Sequence, residues 1–228
     1  MLYLMMTMIC HSKIRKKKYD ILMAKLRFYH GTMASAKSLR LLTTAYNFEE
    51  KGLSFMVLKP ACDTRDGEDV ISSRVGLKRE CITVQQDVNL FKAVDEYNNI
   101  LKANLDKLEW ILVDESQFLT EEQVDQLAEI VDEMGIEVMC FGLRTDFQSH
   151  FFKGSKRLME LADEIEEIKS RCSCGRKTSI NARFDENGNI VFQGEQIVIG
   201  GNEKYKPLCR RCWMRLKKQK IKNNISQN

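Results

Sequence analysis

Short apolar runs alternate along the chain with segments in which apolar residues recur at helical spacing. The runs predict buried strands at residues 26–29, 53–58, 81–84, 110–113 and 136–142. The spacing predicts helices at residues 39–46, 88–105 and 120–134. Strands that are apolar on both faces and separated by amphipathic helices indicate a parallel sheet covered on each side. The pattern therefore predicts an α/β domain built on a parallel sheet flanked by helices.

Residues that can carry chemistry lie where these strands end. Gly31, Asp63, Asp114 and the segment Arg144 to Phe147 each follow a different predicted strand. In open parallel sheets, ligands bind beyond the carboxyl ends of the strands. The four positions therefore predict one shared site at one edge of the sheet.

The segment that follows the first strand reads Gly-Thr-Met-Ala-Ser-Ala-Lys-Ser and matches the phosphate-loop pattern G-x-x-x-x-G-K-[ST], except that Ala36 replaces the second glycine. Such a loop holds nucleotide phosphates with backbone N–H groups at a helix N-terminus, and it adds a lysine charge and a hydroxyl for Mg²⁺. An ordinary strand-to-helix turn is the alternative. The candidate phosphate-binding residues are Gly31, Thr32, Met33, Ala34, Ser35, Ala36, Lys37 and Ser38.

An acidic pair, Asp114 and Glu115, directly follows the strand at 110–113. Nucleoside triphosphatases place the carboxylate that serves Mg²⁺ at this position, usually with water between them. Asp114 would serve the metal, and Glu115 would accept a proton from an attacking hydroxyl within hydrogen-bond reach. The competing interpretation is that the pair merely begins the turn into the next helix.

Four of the eight cysteines form two close pairs, Cys172 with Cys174 and Cys209 with Cys212. The spacing suits two short turns that together supply a tetrahedral Zn²⁺ site. Two disulfides are the competing interpretation, but single cysteines elsewhere in apolar or mixed surroundings indicate a reducing, cytoplasmic location. Because four thiolates leave no open position, the metal would be structural.

Length and composition favour one domain with a small appendage, since 228 residues with 43% hydrophobic and 30% charged side chains can bury a full core. We predict a phosphate-loop α/β domain at residues 23–170 and a zinc-binding domain at 171–216, with a hairpin at Asn187-Gly188. Residues 217–228 would form a basic tail. Residues 1–22 would lie outside the fold. They would be either a disordered basic arm or residues included because the start of the protein was assigned too early.

Charge and hydropathy exclude some classes of function. The formal net charge of +4 is small, and much of it comes from clusters at Lys13 to Lys18 and Lys217 to Lys222, so no specific nucleic acid is implied. The first ten residues are mostly Met and Leu, but the positive charges follow this run and it is too short to span a bilayer. We therefore predict neither a signal peptide nor a membrane anchor.

The chain resembles the type II thymidine kinases, especially the bacterial branch, over about residues 24–213. The resemblance rests on a series of short motifs that occur in the same order. They are Phe28 to Ser38, Lys59-Pro60, Asp63 to Arg65, Ser72 to Gly76, Asp114 to Phe118, Gly142 to Phe147, Cys172 to Lys177 and Val198 to Tyr205.

The resemblance implies a phosphate-loop NTPase-like fold with a small C-terminal zinc-ribbon or lasso domain, and transfer of the ATP γ-phosphoryl group to the 5′-hydroxyl of thymidine or deoxyuridine. Glu115 would be the catalytic base. Besides the phosphate loop, the residues implied for ATP and Mg²⁺ are Asp63, Arg65, Asp114 and Gln117. Those implied for the nucleoside are Phe118, Phe147, Phe152, Ile197, Val198, Ile199, Gly200 and Tyr205. A homotetramer inhibited by dTTP is also implied.

Two features leave other interpretations open. Phe118, Phe152 and the isoleucines 197 and 199 could be plain core residues. At Ala36, the added methyl costs on the order of 1 kcal/mol or more if the position needs positive φ or a very close phosphate, and almost nothing if φ is negative. The family that the chain resembles tolerates some variation among small residues in this loop, so we expect an active enzyme. The alternatives are a catalytically weakened zinc-ribbon nucleotide-binding protein with the same fold, and another phosphate-loop enzyme such as an ATPase.

Overall fold

The computed structural model describes residues 24–64, 67, 69–104, 106–198 and 204–225. The strands are β1 (Leu26–His30), β2 (Phe55–Pro60), β3 (Val70–Ser72), β4 (Lys78–Glu80), β5 (Ile82–Val84), β6 (Trp110–Val113), β7 (Glu137–Gly142), β8 (Glu164–Glu167), β9 (Ile180–Phe184), β10 (Ile190–Val191) and β11 (Tyr205–Leu208). The helices are α1 (Lys37–Glu50), α2 (Leu90–Ala103), α3 (Glu121–Glu129), α4 (Lys153–Leu161) and α5 (Arg210–Ile225). Within the described residues, none of these helices is long and apolar enough to cross a membrane.

Six strands form one parallel sheet in the order β5-β2-β6-β7-β1-β8. The five predicted strands and three predicted helices are confirmed, with ends that move by a few residues. The helix predicted at 120–134 is α3 followed by a π-helical turn at Ile130–Met134. The predicted α/β architecture, a parallel sheet flanked by helices, is therefore confirmed.

Both faces of the sheet are buried, which explains why its strands read as continuous apolar runs. Ile111 and Val113 of β6 pack into one core together with residues of α2, α3 and α4. Leu112, which points to the other face, packs with α1. All three side chains are fully buried. Because successive strand residues point to opposite faces, the two cores fix the register of β6.

The edge strand β8 was not predicted, because its sequence Glu-Ile-Glu-Glu carries a single apolar residue. It pairs with β1 through the backbone and adds exposed ion pairs. Glu164 pairs with Lys25 at 2.5 Å and Arg27 at 2.9 Å, and Glu166 pairs with Arg40 at 2.6 Å. Exposed pairs of this kind contribute about 0–1 kcal/mol each. The backbone ladder therefore accounts for most of the attachment of β8.

The C-terminal part of the chain forms an antiparallel sheet in the order β10-β9-β11, packed on α5 through Trp213. The hairpin predicted between β9 and β10 is confirmed. In its turn, the Asp185 carboxylate accepts hydrogen bonds from the N–H groups of Asn187 and Asn189, and Gly188 takes φ 76°. Helix α5 continues through the region predicted as a basic tail, as far as Ile225.

Candidate functional site

A cavity of about 760 Å³ lies beyond the carboxyl ends of the central strands. Phosphate-loop residues Met33 to Ser38 line it, as do Asp63, Asp114, Glu115 and Gln117. The predicted nucleoside residues that line it are Phe118, Phe147, Phe152, Ile197, Val198 and Tyr205. The structure thus brings the strand-end residues together at one edge of the sheet.

Among the residues predicted for the nucleotide and the nucleoside, two that the structure describes fall outside this lining. Gly31 and Thr32 lie behind the phosphate loop, in a small cleft that His30 also lines. Three more, Arg65, Ile199 and Gly200, lie outside the described residues.

The phosphate loop leads into α1, and the backbone at the junction is suited to an anion. Ala34 and Ala36 have φ of 61° and 64°, and Ala36 is the N-cap of α1 without a capping side-chain hydrogen bond. The first N–H groups of a helix have no intrahelical partner. Ser35 Oγ is buried and has no hydrogen-bond partner among the described residues. Uncapped N–H groups and an unpartnered hydroxyl fit a bound phosphate.

Two contacts hold the loop in this shape. Lys37 Nζ donates to the carbonyl oxygens of Gly31 at 3.2 Å and Thr32 at 3.0 Å. A Cβ at Gly31 would lie 2.6 Å from the carbonyl oxygen of Ile168, so no larger residue fits there. The first glycine of the motif is therefore required by the close approach of the chain after β8.

Asp114 lies at the end of β6 in a buried position suited to a cation. Burial raises the pKa of Asp114 to about 7, the Glu115 charge also raises it, and a hydrogen bond from Ser38 lowers it. Asp114 Oδ1 has no hydrogen-bond partner within the described part of the chain. A carboxylate oxygen beside a hydroxyl is a typical donor set for Mg²⁺. Asp114 and Ser38 therefore fit the metal that the sequence implied.

Glu115 has a strained backbone, and Gln117 orients its side chain. The backbone of Glu115 is left-handed with φ 46°, which is uncommon for residues other than glycine. Gln117 Nε2 donates to Glu115 Oε2 at 2.5 Å, and Gln117 Oε1 accepts from Leu143 N at 2.9 Å. A Cβ at Gly142 would lie 2.8 Å from Gln117 Oε1, so that glycine makes room for the amide. Gln117, predicted among the ATP and Mg²⁺ residues, thus fixes the carboxylate of Glu115.

Aromatic side chains form one wall of the cavity. Phe118 and Phe152 meet edge to face with ring centroids 5.7 Å apart. Phe147 is 1% exposed, with the Arg183 guanidinium 3.6 Å from its ring centroid. Phe152, for which a plain core role was the alternative, is 5% exposed and also lines the cavity, so the two interpretations are not exclusive.

The segment at 193–198 contributes residues 196–198 to the cavity lining, and Arg183, which the sequence did not point to, makes two of its contacts. Arg183 donates to the carbonyl oxygens of Gln193 at 3.2 Å and Glu195 at 2.8 Å. Gln196 Nε2 donates to Asp146 Oδ2 at 2.9 Å. Arg183 lies on a strand of alternating polarity, which is typical of a solvated face, yet it is 7% exposed.

A predicted residue also contacts the segment at 193–198. Tyr205 Oη donates a hydrogen bond to the carbonyl oxygen of Val198 at 2.9 Å.

Lys59 also lines the cavity, although it was not among the predicted site residues. Its Nζ donates to the carbonyl oxygens of Gly67 at 2.7 Å and Val70 at 3.1 Å.

The four paired cysteines converge on one point. Their Sγ atoms all lie within 4.8 Å of one another, and those of Cys174 and Cys209 are 3.6 Å apart. A tetrahedral Zn²⁺ with Zn–S bonds near 2.3 Å places its sulfurs about 3.8 Å apart. All four residues are free thiols rather than disulfides. The cluster therefore fits a structural Zn²⁺ ion.

Comparison with known proteins agrees with this geometry. The family model described as thymidine kinase matches residues 24–213. The thymidine kinase of Mannheimia succiniciproducens is 44% identical over 188 residues, which cover 82% of this chain and 94% of that protein. The thymidine kinase of Legionella pneumophila strain Lens is 46% identical, covering 82% and 88%. That of Streptococcus pyogenes serotype M3 is 44% identical, covering 83% and 96%.

Among solved structures, the Pif1 helicase from Candida albicans aligns with a TM-score of 0.39 and 17% identity, covering 68% of this chain and 38% of that chain. A likeness of this size carries no argument about function.

Proposed function

The chain belongs to the thymidine kinase family, and we propose that it transfers the γ-phosphoryl group of ATP to the 5′-hydroxyl of thymidine or deoxyuridine. The products would be the nucleoside monophosphate and ADP, as in pyrimidine salvage. One observation carries the proposal beyond the family: the phosphate loop, the acidic pair and the aromatic wall line one cavity. Phosphoryl transfer depends mainly on positioning and charge neutralisation, which such a cavity can supply.

The phosphate side of the cavity would bind ATP. The N–H groups at the start of α1 and the Ser35 hydroxyl would hold the phosphate oxygens, and Lys37 would add a positive charge. Ser38 and Asp114 would hold Mg²⁺, which neutralises charge on the transferred group when it is bound. Asp63, which is 5% exposed at the end of β2, would lie beside that group together with Arg65.

Glu115 would accept the proton of the attacking 5′-hydroxyl. Its carboxylate lines the cavity and is oriented by the amide of Gln117. A base that is already oriented acts without the cost of ordering it in the transition state. The nucleoside would lie against Phe118, Phe147 and Phe152, and the chain at 197–200 with Tyr205 would close over it.

The cysteine cluster would have a structural role. Zn²⁺ held by Cys172, Cys174, Cys209 and Cys212 would join the turn before β9 to the start of α5. This arrangement would fix both ends of the segment that carries residues 197–200. Zinc would therefore support binding of the nucleoside without touching it.

An assay with purified protein tests the proposal. The protein is incubated with labelled ATP, Mg²⁺ and a panel of nucleosides, alongside Glu115→Gln and the matched exposed variant Glu122→Gln. We expect thymidine and deoxyuridine to be phosphorylated, and kcat of Glu115→Gln to fall by about 10²- to 10⁴-fold while Glu122→Gln stays near wild type. Absence of nucleoside phosphorylation, or full activity of Glu115→Gln, would contradict the proposal.

We also propose a cytoplasmic homotetramer that is inhibited by dTTP. The resemblance to the type II enzymes supports the assembly and the inhibitor. The free thiols in the described part of the chain support a reducing compartment. Light scattering during size exclusion tests the assembly, and thymidine kinetics with added dTTP test the inhibition.

A further inference from the structure

Strand β9 of the C-terminal sheet presents two different faces. Ile180 and Ala182 pack with Trp213 inside their own domain. Asn181 and Arg183 point the other way, because strand side chains alternate. They are only 4% and 7% exposed, so a polar face is buried against the α/β domain. Buried polar groups of this kind are expected to be hydrogen-bonded, and both are.

Asn181 connects two loops that both line the cavity. Its Oδ1 accepts a hydrogen bond from Met33 N in the phosphate loop at 2.7 Å. Its Nδ2 donates to the carbonyl oxygen of Thr145, in the loop after β7, at 3.3 Å. The first contact fixes the backbone of the loop for ATP, and the second fixes the loop that continues into Phe147.

The side chain of Met33 strengthens the same junction. It is 9% exposed and packs with Phe147 and Tyr205. One residue of the phosphate loop therefore has its backbone tied to Asn181 and its side chain within the aromatic wall. The position of the phosphate loop depends on the nucleoside side of the cavity.

From this geometry we infer that Asn181 is a positioning residue that sets the distance between the phosphate loop and the nucleoside site. The inference rests on the proposed function and extends it. In-line transfer needs the reacting atoms about 3–3.5 Å apart and aligned, so a small shift of one loop lowers the rate of chemistry more than it weakens either substrate. Asn181 also lines the cavity, but both of its hydrogen bonds go to the two loops, and its inferred effect on the rate is exerted through them.

Steady-state kinetics of Asn181→Ala test this role, with Ile180→Val as the matched control. Ile180 is the neighbouring residue on β9 and is buried on the opposite face. We expect Asn181→Ala to lower kcat by about 10- to 100-fold, with both KM values within threefold and zinc content unchanged. Ile180→Val should lower the melting temperature by about 2–4 °C and leave kcat near wild type.

Each outcome bears on one claim. An active wild type with kcat retained in Asn181→Ala would overturn the positioning role alone. An equal fall in kcat for Ile180→Val would also overturn it, because the effect would then be general destabilisation. An inactive wild type would overturn the proposed function together with this inference. If Asn181→Ala does not accumulate as folded protein, Asn181→Ser, which keeps a polar group in the strand, takes its place.

Discussion

Replacing Ala36 by glycine should stabilise the protein and change its activity little. Ala36 has φ 64° and ψ 29°, in the left-handed region. That conformation costs about 1–2 kcal/mol for a residue with a Cβ, whereas glycine loses about 0.5–1 kcal/mol more than alanine through backbone entropy on folding. The difference predicts a gain of about 0.5–1 kcal/mol in the free energy of unfolding.

The matched control is the same substitution in ordinary helical backbone. Ala93 is an exposed residue within α2, where glycine is less favourable than alanine by about 1 kcal/mol. Urea denaturation should therefore give opposite signs, with Ala36→Gly more stable than wild type and Ala93→Gly less stable. Equal destabilisation of the two variants would show that Ala36 does not have the left-handed conformation.

Kinetics separate strain in the loop from loss of function. The loop already has the left-handed conformation, so the strain is common to free and bound enzyme, and we expect kcat/KM of Ala36→Gly to stay within about tenfold of wild type. A gain above about 100-fold corresponds to about 2.7 kcal/mol, more than the strain can supply. That result would refute the reasoning and show that alanine disables the natural loop.

Three further changes test the site. Tyr205→Phe removes the hydrogen bond to Val198 and should raise KM for thymidine by about 2- to 10-fold while KM for ATP stays constant. An equal rise in both KM values would contradict a role specific to the nucleoside. Cys174→Ser should lose zinc by metal analysis and lower the melting temperature, and full zinc content would remove Cys174 from the ligand set. Gln117→Ala frees the carboxylate of Glu115 and should lower kcat by about 10- to 100-fold with little change in KM, whereas unchanged kcat would exclude this orienting role.

The sequence predicted the central sheet well because both of its faces are buried. Strand β6 reads Trp-Ile-Leu-Val, and three of its four residues are buried in two cores. The pattern did not predict β8, which is held by backbone pairing and surface charges. It also did not predict the β3–β4 hairpin, in which Ile71 is the single buried residue of two three-residue strands. Apolar periodicity does not predict strands that bury so few apolar residues.

The residues of the candidate site also fall into those that the sequence could predict and those that it could not. Motifs of consecutive residues, such as the phosphate loop and the acidic pair, could be found because local backbone geometry requires their residue types. Asn181 and Arg183 could not, because their alternation with apolar neighbours is typical of a half-exposed strand. Only the docking of β9 against the α/β domain buries them, and that contact joins residues about 150 positions apart along the chain.

Backbone strain explains why the site needs contacts from so distant a strand. The non-glycine residues with positive φ in the described part of the chain are Ala34, Ala36, Glu115 and Ser149, and three of these four line the cavity. Each such conformation costs about 1–3 kcal/mol and persists only where the surroundings over-determine it. Gln117 orients the carboxylate of the strained Glu115. Lys37 holds the loop that contains the two alanines from within, and Asn181 holds it from the C-terminal domain. The hydrogen bond of Asn181 therefore adds to the contacts that maintain this conformation of the phosphate loop.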